Sequence, residues 1–272
     1  MKHITITGSL GSGKSVVSSI LKNKLKIEIE SVGSLLRQMA YNYGMSTSEF
    51  NKYMEEHPEL DHELDSFVKE QGQNPIPKIF DSRLAWHFIP QSYKVYLYVK
   101  DEIAAKRVYR DKERVNEEYE GEDEALYHIT ERRKSEILRF KTQYNIDLDD
   151  FTNYNLIIDT SYSTPEDIAN IIIQNYQKNS SDQNDIWISP YTLIPAQITI
   201  IQSLGKIENS GDSFSQEGND TKEPVIIFFK NNLFYVVDGQ KQVLNAIQNK
   251  TTLIPCVLVQ PTNVKLTMNN EQ

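Results

Sequence analysis

Residues 4–15 read ITITGSLGSGKS. The β-rich run before Gly8 predicts a strand, and KSVVSSILKNKL (14–25) has the apolar spacing of a helix. Between them, Gly8-Ser9-Leu10-Gly11-Ser12-Gly13-Lys14-Ser15 satisfies G-x-x-x-x-G-K-[ST]. The glycines let the backbone turn tightly, so that its N–H groups point into the loop. The helix that follows adds the partial positive charge of its N-terminus. Lys14 can reach the β- and γ-phosphates of a nucleotide, and Ser15 can ligate Mg²⁺. A cradle for ATP with Mg²⁺ is therefore expected, while the group that receives the phosphate is left open.

The bulk numbers narrow the field. A chain of 272 residues suggests one large or two modest domains, at about 100–200 residues each. Hydrophobic residues at 39% and charged residues at 25% allow a packed core. A net charge of −9 argues against a nucleic-acid partner or an anionic membrane, since both need an extended basic surface. The one cysteine, Cys256, lies in TTLIPCVLV, which reads as a buried strand, so a core thiol and no internal disulfide are expected. MKHITITG lacks a signal-peptide apolar region, and no apolar run reaches the about 18 residues that span a bilayer. These features fit a reducing, cytoplasmic setting.

Outward from the glycine stretch, strand-like and helix-like segments alternate. IPKIF (76–80), KVYLYV (94–99) and YNLIIDT (154–160) read as strands. DEIAAKRVYRDKERV (101–115) and EALYHITERRKSEILRFKTQY (124–144) read as helices. So does STPEDIANIIIQNYQ, with Ser163 or Thr164 as N-cap and Pro165 in the first turn. Such alternation implies an α/β unit, a parallel sheet with helices on both faces. The polar tract QKNSSDQND (177–185) marks a change of character. The expected division is a first domain over 1–177, a linker over 178–185, a second domain over 186–262 and a tail over 263–272. In the second domain, ITIIQSLGK (198–206) is helix-like and IENSGDSFSQEGNDTKE is a polar loop. PVIIFFKNNLFYVVDG forms two strands turning at Asn231-Asn232, followed by the helix QKQVLNAIQNK and the strand LIPCVLV.

All eight arginines fall between Arg37 and Arg139. A kinase for a small acceptor needs cations around both donor and acceptor, because two anions must be brought together. Arginine suits this, since its planar fork bonds phosphate through two N–H groups and keeps its charge. Arg114 and Arg133 are expected on solvated helix faces.

ESVGSLLRQMAYNYGMSTSEFNKYMEEHPELDHELD, IFDSRLAW and ERRKSEILRFKTQYNIDL together resemble the archaeal-type branch of the cytidylate kinase family, over roughly residues 1–176. The resemblance implies a P-loop fold and transfer from ATP to a pyrimidine nucleoside monophosphate, (d)CMP favoured. The family's Ser-x-Gly-x-x-x-Arg element is Ser31, Gly33 and Arg37, with Arg37 on the acceptor phosphate. Asp61 and Asp65 fall by the acceptor site. Asp65 is the candidate to accept from the cytosine amine, although a solvated helix face also explains this acidic run. Asp81 would hold Mg²⁺ through water with Ser15, and Arg83 would bind the acceptor phosphate. Ser82 replaces a family glycine, which matters if the backbone there needs φ > 0. Arg107 would stack on adenine and Arg110 bond phosphate, or the two would simply form a basic helix face. Arg132-x-x-Ser135-Glu136-x-x-Arg139 keeps the family's lid spacing, with four residues on one helical face and Arg132 and Arg139, beside Lys14 and Asp81, in catalytic roles. Asn145 stands where the family has a left-handed glycine. Asp159 and Thr160 would lie by the adenine.

Residues 186–260 resemble the ParB/sulfiredoxin-like fold, a small α+β unit, through Asp238-Gly239-Gln240-Lys241-Gln242 and Ala246. Gln242 replaces the usual arginine, so Asp238, Gly239 and Lys241 are the candidates for a nucleotide or protein ligand. A tight strand-to-helix turn explains Asp238 and Gly239 equally. Two further functions stay open. One is a kinase for another small acceptor such as free serine, using the ParB-like domain. The other is a nucleotide-gated regulatory protein without transfer.

Overall fold

Every residue of β1 (Ile4–Gly8) is buried, as a strand requires when both faces of its sheet are covered. The computed structural model describes residues 1–111, 119–178, 184–195, 198–199, 223–259 and 265–266. It divides into two units, Met1–Asp185 and Ile186–Gln272. In the first, β1 joins β2 (Glu28–Ser31), β3 (Lys78–Asp81), β4 (Tyr93–Tyr98) and β5 (Leu156–Asp159) in the order β2-β3-β1-β4-β5. All four pairings are parallel. The third strand begins later than IPKIF suggests, because Pro77 has no N–H to give a ladder and Ile76 is exposed.

The helices are α1 (Lys14–Leu25), α2 (Val32–Asn42), α3 (Thr47–Glu56), α4 (Pro58–Gly72), α5 (Ala85–Phe88), α6 (Asp101–Arg110), α7 (Glu122–Tyr144) and α8 (Pro165–Lys178). Their ends follow local chemistry. Ser46 and Glu49 form a capping box that opens α3. Thr164 Oγ1 accepts from the Asp167 N–H at 3.1 Å, which makes Thr164 rather than Ser163 the cap of α8. The predicted helix 101–115 is described as far as Arg110; residues 112–118, Arg114 among them, lie outside the described residues. The two halves of α7 are held differently. Ala125 and Ile129 pack on Ala104, Ala105 and Val108 of α6 in an apolar cluster. Beyond Arg132, ion pairs of Glu136 and Arg139 join the rings of Phe140 and Tyr144, which lie against each other and, for Tyr144, against Phe88. Among the described residues no helix is long and apolar enough to cross a membrane.

In the second unit, β9 (Val225–Lys230) and β10 (Leu233–Asp238) pair antiparallel across Asn231 and Asn232. Both asparagines have positive φ, 52° and 61°, the geometry of a two-residue hairpin turn. α9 (Gln240–Gln248) leads to β11 (Ile254–Leu258), which pairs parallel with β9 and antiparallel with β6 (Asp185–Ile188). β7 (Ile194–Pro195) pairs parallel with β10. Cys256 is buried in β11. The helix expected over 198–206 is corrected at its start: Ile198–Thr199 is a strand, β8, paired with β12 (Lys265–Leu266). The rest of that segment, the polar loop at 207–222, linker residues 179–183 and the tail apart from Lys265–Leu266 lie outside the described residues.

Asn145 closes α7 at φ 54°, donating its N–H to the Lys141 carbonyl at 3.0 Å. Asn145→Gly is expected to leave the urea midpoint nearly unchanged. Asn145→Val should lower stability by about 1–2 kcal/mol, because a β-branched residue is strained in the left-handed region.

Candidate active site

Three parallel strands of the first unit end together. The register sets Asp81 beside Ile6 of β1 and beside Ser31 of β2, and sets Gly8 beside Leu97 of β4. The glycine loop, the start of α2 and the segment after β3 therefore meet outside the carboxyl ends of the strands. This is where open α/β sheets bind ligands. A cavity of about 870 Å³ opens there, within the range of roughly 300–1,000 Å³ for small-molecule sites. Its walls include Gly11 to Ser15, and also Ser31, Gly33, Asp65 and Asp81. Six arginines line it: Arg37, Arg83, Arg107, Arg110, Arg132 and Arg139.

Gly8 lies beneath this wall. A Cβ on it would sit 2.4 Å from the Leu97 carbonyl oxygen, so close strand packing excludes any side chain there. Gly13 caps α1 at φ 81° with no side-chain hydrogen bond, which leaves the first N–H groups of α1 facing the loop. Lys14 Nζ donates to the carbonyls of Gly8 at 2.8 Å and Ser9 at 3.1 Å. Burial, reinforced by the Arg83 guanidinium and opposed by Asp81, lowers the Lys14 ammonium to about 7. Ser15 Oγ donates to Asp81 Oδ2 at 2.9 Å. Two hard oxygens beside a phosphate cradle suit Mg²⁺, which takes few protein ligands and completes its shell with water and phosphate.

Glu136 joins two of the arginines. Its carboxylate accepts from Arg83 Nε at 2.7 Å and from Arg132 Nε at 3.0 Å. Burial pushes the Glu136 carboxyl up, but Arg83 and Arg132 outweigh it and hold the group well below the usual carboxylate range. Arg83 also donates through Nη1 to the Gly8 carbonyl, which ties the segment after β3 to the glycine loop. Ser82 has no positive φ, so its side chain costs no left-handed strain; its N–H donates to the Ile6 carbonyl at 3.3 Å.

Across the cavity, Asp61 and Asp65 of α4 are both buried, and the solvated-face reading of this acidic run does not hold. Asp61 pairs with Arg139 Nε at 3.1 Å, and Arg139 Nη1 donates to the Asn51 carbonyl at 3.1 Å. Tyr144 Oη donates to Asp65 at 2.5 Å. Burial raises both carboxyls; Arg139 counters it at Asp61 and Tyr144 counters it at Asp65. Arg37, exposed on α2, donates to Ser34 Oγ at 3.0 Å, which in turn bonds Ser31 Oγ. Gly33 has no positive φ, and a Cβ there would meet only Arg37 Nη1, at 3.7 Å.

Arg107 is not a solvated helix residue. It donates to the carbonyls of Gly11, Thr160 and Ser161, stapling the glycine loop to the turn after β5. Arg110 is mostly exposed, 3.9 Å from Glu122. Asp159 lies beneath the site, accepting the Ser161 N–H at 2.8 Å, while Thr160 lines the cavity. Arg133 corrects an expectation: it is largely buried and pairs with Asp149. Ser135 also departs from the expected common face, donating to Glu55 of α3 outside the cavity lining. In the second unit, Gly239 caps α9 at φ 97° and donates its N–H to Asp238 Oδ1 at 2.8 Å. Asp238 and Lys241 are exposed.

Breaking a buried ion pair strands a charge, at about 3–5 kcal/mol. Asp61→Asn and Arg139→Met are each expected to lower stability by roughly that amount. The double variant should cost less than the sum, a coupling that denaturation midpoints of the three proteins will show.

Comparison with known proteins places this geometry in a family. Residues 4–139 match the family model described as an AAA domain. A cytidylate kinase of Thermoplasma volcanium is 34% identical over 182 residues, covering 65% of this chain and 93% of that protein. One from Methanocaldococcus jannaschii is 33% identical, covering 64% and 99%. An S-adenosylmethionine-dependent nucleotide dehydratase of Lacinutrix mariniflava is 35% identical over 179 residues, 65% of this chain, which spans only 36% of that protein's length. Among solved structures, a shikimate kinase from Acinetobacter baumannii in complex with shikimate aligns with a TM-score of 0.46 at 18% identity, covering 67% of this chain and 96% of that one. With its glycine loop at the end of β1 and its matched length spanning almost the whole of these kinases, the chain belongs through its N-terminal part to the cytidylate kinase family of P-loop proteins.

Proposed function

We propose that the first unit is an ATP-dependent, Mg²⁺-requiring kinase that phosphorylates a pyrimidine nucleoside monophosphate, with CMP or dCMP the favoured acceptor. The observation that carries this reading is the distribution of cations in one cavity. Lys14 and the N-terminus of α1 serve the donor's phosphates, and Arg37 and Arg83 stand on the acceptor side. An acceptor without an anionic group would give Arg37, whose guanidinium donates only to the Ser34 hydroxyl among the described residues, no charge to bind. Ser15 and Asp81 would hold the metal, which neutralises the donor's phosphates when bound.

In this reading Arg37 and Arg83 fix the acceptor phosphate, and Arg132, joined to Arg83 through Glu136, flanks the group in transit. Its terminal phosphorus passes in line from the ADP oxygen to an oxygen of the acceptor monophosphate, giving ADP and the nucleoside diphosphate. Positioning and charge stabilisation carry most of the rate. Asp65, buried beside Tyr144, is the acceptor for the cytosine amine. Arg107 and Thr160 border the adenine.

The second unit we read as ParB/sulfiredoxin-like, on its order of elements and on the Asp238-Gly239 turn at the start of α9. A binding or regulatory role, with Lys241 and that helix start as the contact, fits a surface with few cations. Residues 179–272 hold six lysines against nine acidic residues and no arginine.

ADP release measured with ATP and a panel of monophosphates tests the kinase reading. CMP and dCMP should stimulate it most, and Lys14→Met should lower kcat by about 10²–10³-fold or more. Arg37→Met should raise KM for the monophosphate about tenfold or more, the loss of one charge-assisted hydrogen bond, with KM for ATP little changed. Stimulation by shikimate, gluconate or free serine but by no monophosphate would refute it.

A further inference from the structure

Glu136 presents a problem for an anion site. It is 5% exposed, it remains charged, and it lines the same cavity as Lys14. A carboxylate there repels a polyphosphate, so its contacts must contribute something that offsets the repulsion. They are specific. One oxygen takes Arg83 Nε at 2.7 Å; the other takes Arg132 Nε at 3.0 Å, with Arg83 Nη2 at 3.5 Å. Arg83 follows β3 and Arg132 lies on α7, so a single side chain links two elements distant in sequence. Side-on contact through Nε fixes the plane of each guanidinium, because the fork turns as a rigid unit. Two guanidinium groups set side by side would otherwise repel. Arg83 is fixed a second time, through Nη1 on the Gly8 carbonyl.

We infer that Glu136 is a positioning residue, a buried splint that sets Arg83 and Arg132 as one pre-oriented pair at the rim of the glycine loop. The inference rests on the kinase reading for its consequence in turnover. A pair already oriented need not reorganise as charge develops on the phosphoryl oxygens. The repulsion of one carboxylate is the cost of that order.

Two variants of the full chain separate charge from reach. Glu136→Gln keeps the shape and removes the charge. Glu136→Asp keeps the charge but is one methylene shorter, so it meets one arginine at a time. Kinetics with ATP and CMP are measured beside melting temperature. Both variants should lose at least about tenfold in kcat/KM for CMP, with KM for ATP within about threefold, and the aspartate should melt nearer the wild type. A role confined to stability would leave the folded aspartate variant fully active, and wild-type kcat/KM in either variant overturns the inference. A second readout needs no turnover. The Nε–H resonances of Arg83 and Arg132 should exchange slowly in the wild type and vanish into solvent exchange in Glu136→Gln. If the wild type responds to no monophosphate while the resonances behave this way, the kinase reading falls and the splint stands. If the wild type phosphorylates CMP and the resonances persist in Glu136→Gln, the splint falls and the kinase reading stands.

Discussion

The constraint on which the site depends is the parallel register of β1 with its neighbours. Gly8 runs so close to Leu97 that a single added carbon would sit 2.4 Å from its carbonyl oxygen. The same register brings Asp81 level with Ile6 and Ser31. Shifting β3 along β1 would separate Ser15 from Asp81 and Arg83 from the Gly8 carbonyl. The loop is therefore not an independent motif resting on a sheet. Its geometry is set by how far each strand runs before it stops.

Electrostatics then shape what the sheet positions. Arginines buried around a cavity repel one another and are costly to desolvate. Here Glu136 links Arg83 to Arg132, Asp61 holds Arg139, and backbone carbonyls hold Arg107. The pairs Glu136–Arg83 and Asp61–Arg139 each join α7 to another element, to the segment after β3 and to α4. The first half of α7 packs on α6 in an apolar cluster, whereas its second half combines the pairs of Glu136 and Arg139 with the rings of Phe140 and Tyr144, the latter against Phe88.

Much of this was legible in the chain itself, where short-range chemistry decides the outcome. The glycine loop between a strand and a helix, the Asn231-Asn232 hairpin and the left-handed Asn145 each follow from residues adjacent in sequence. The partners of buried charges do not. Arg83 and Glu136 are 53 residues apart, Asp65 and Tyr144 79, and Arg139 and the Asn51 carbonyl 88. Arg132 and Glu136 at i, i+4 gave a local signal of one link but none of the other. Arg133 reads as one of several arginines on a solvated helix face, yet its place on α7 turns it toward Asp149. Acidic composition alone suggested an exposed face for Asp61 and Asp65, and only their distant partners, Arg139 and Tyr144 of α7, account for carboxyls that are buried.

The central claim is that one cavity holds the donor's phosphates and the acceptor's phosphate at once, within a single set of cations. Titration of the full chain with a bisubstrate analogue, adenosine joined to cytidine through five phosphates, tests it most directly. The account predicts binding far tighter than that of ATP or CMP alone, with the advantage lost in Arg37→Met. An analogue that binds no better than ATP would contradict it.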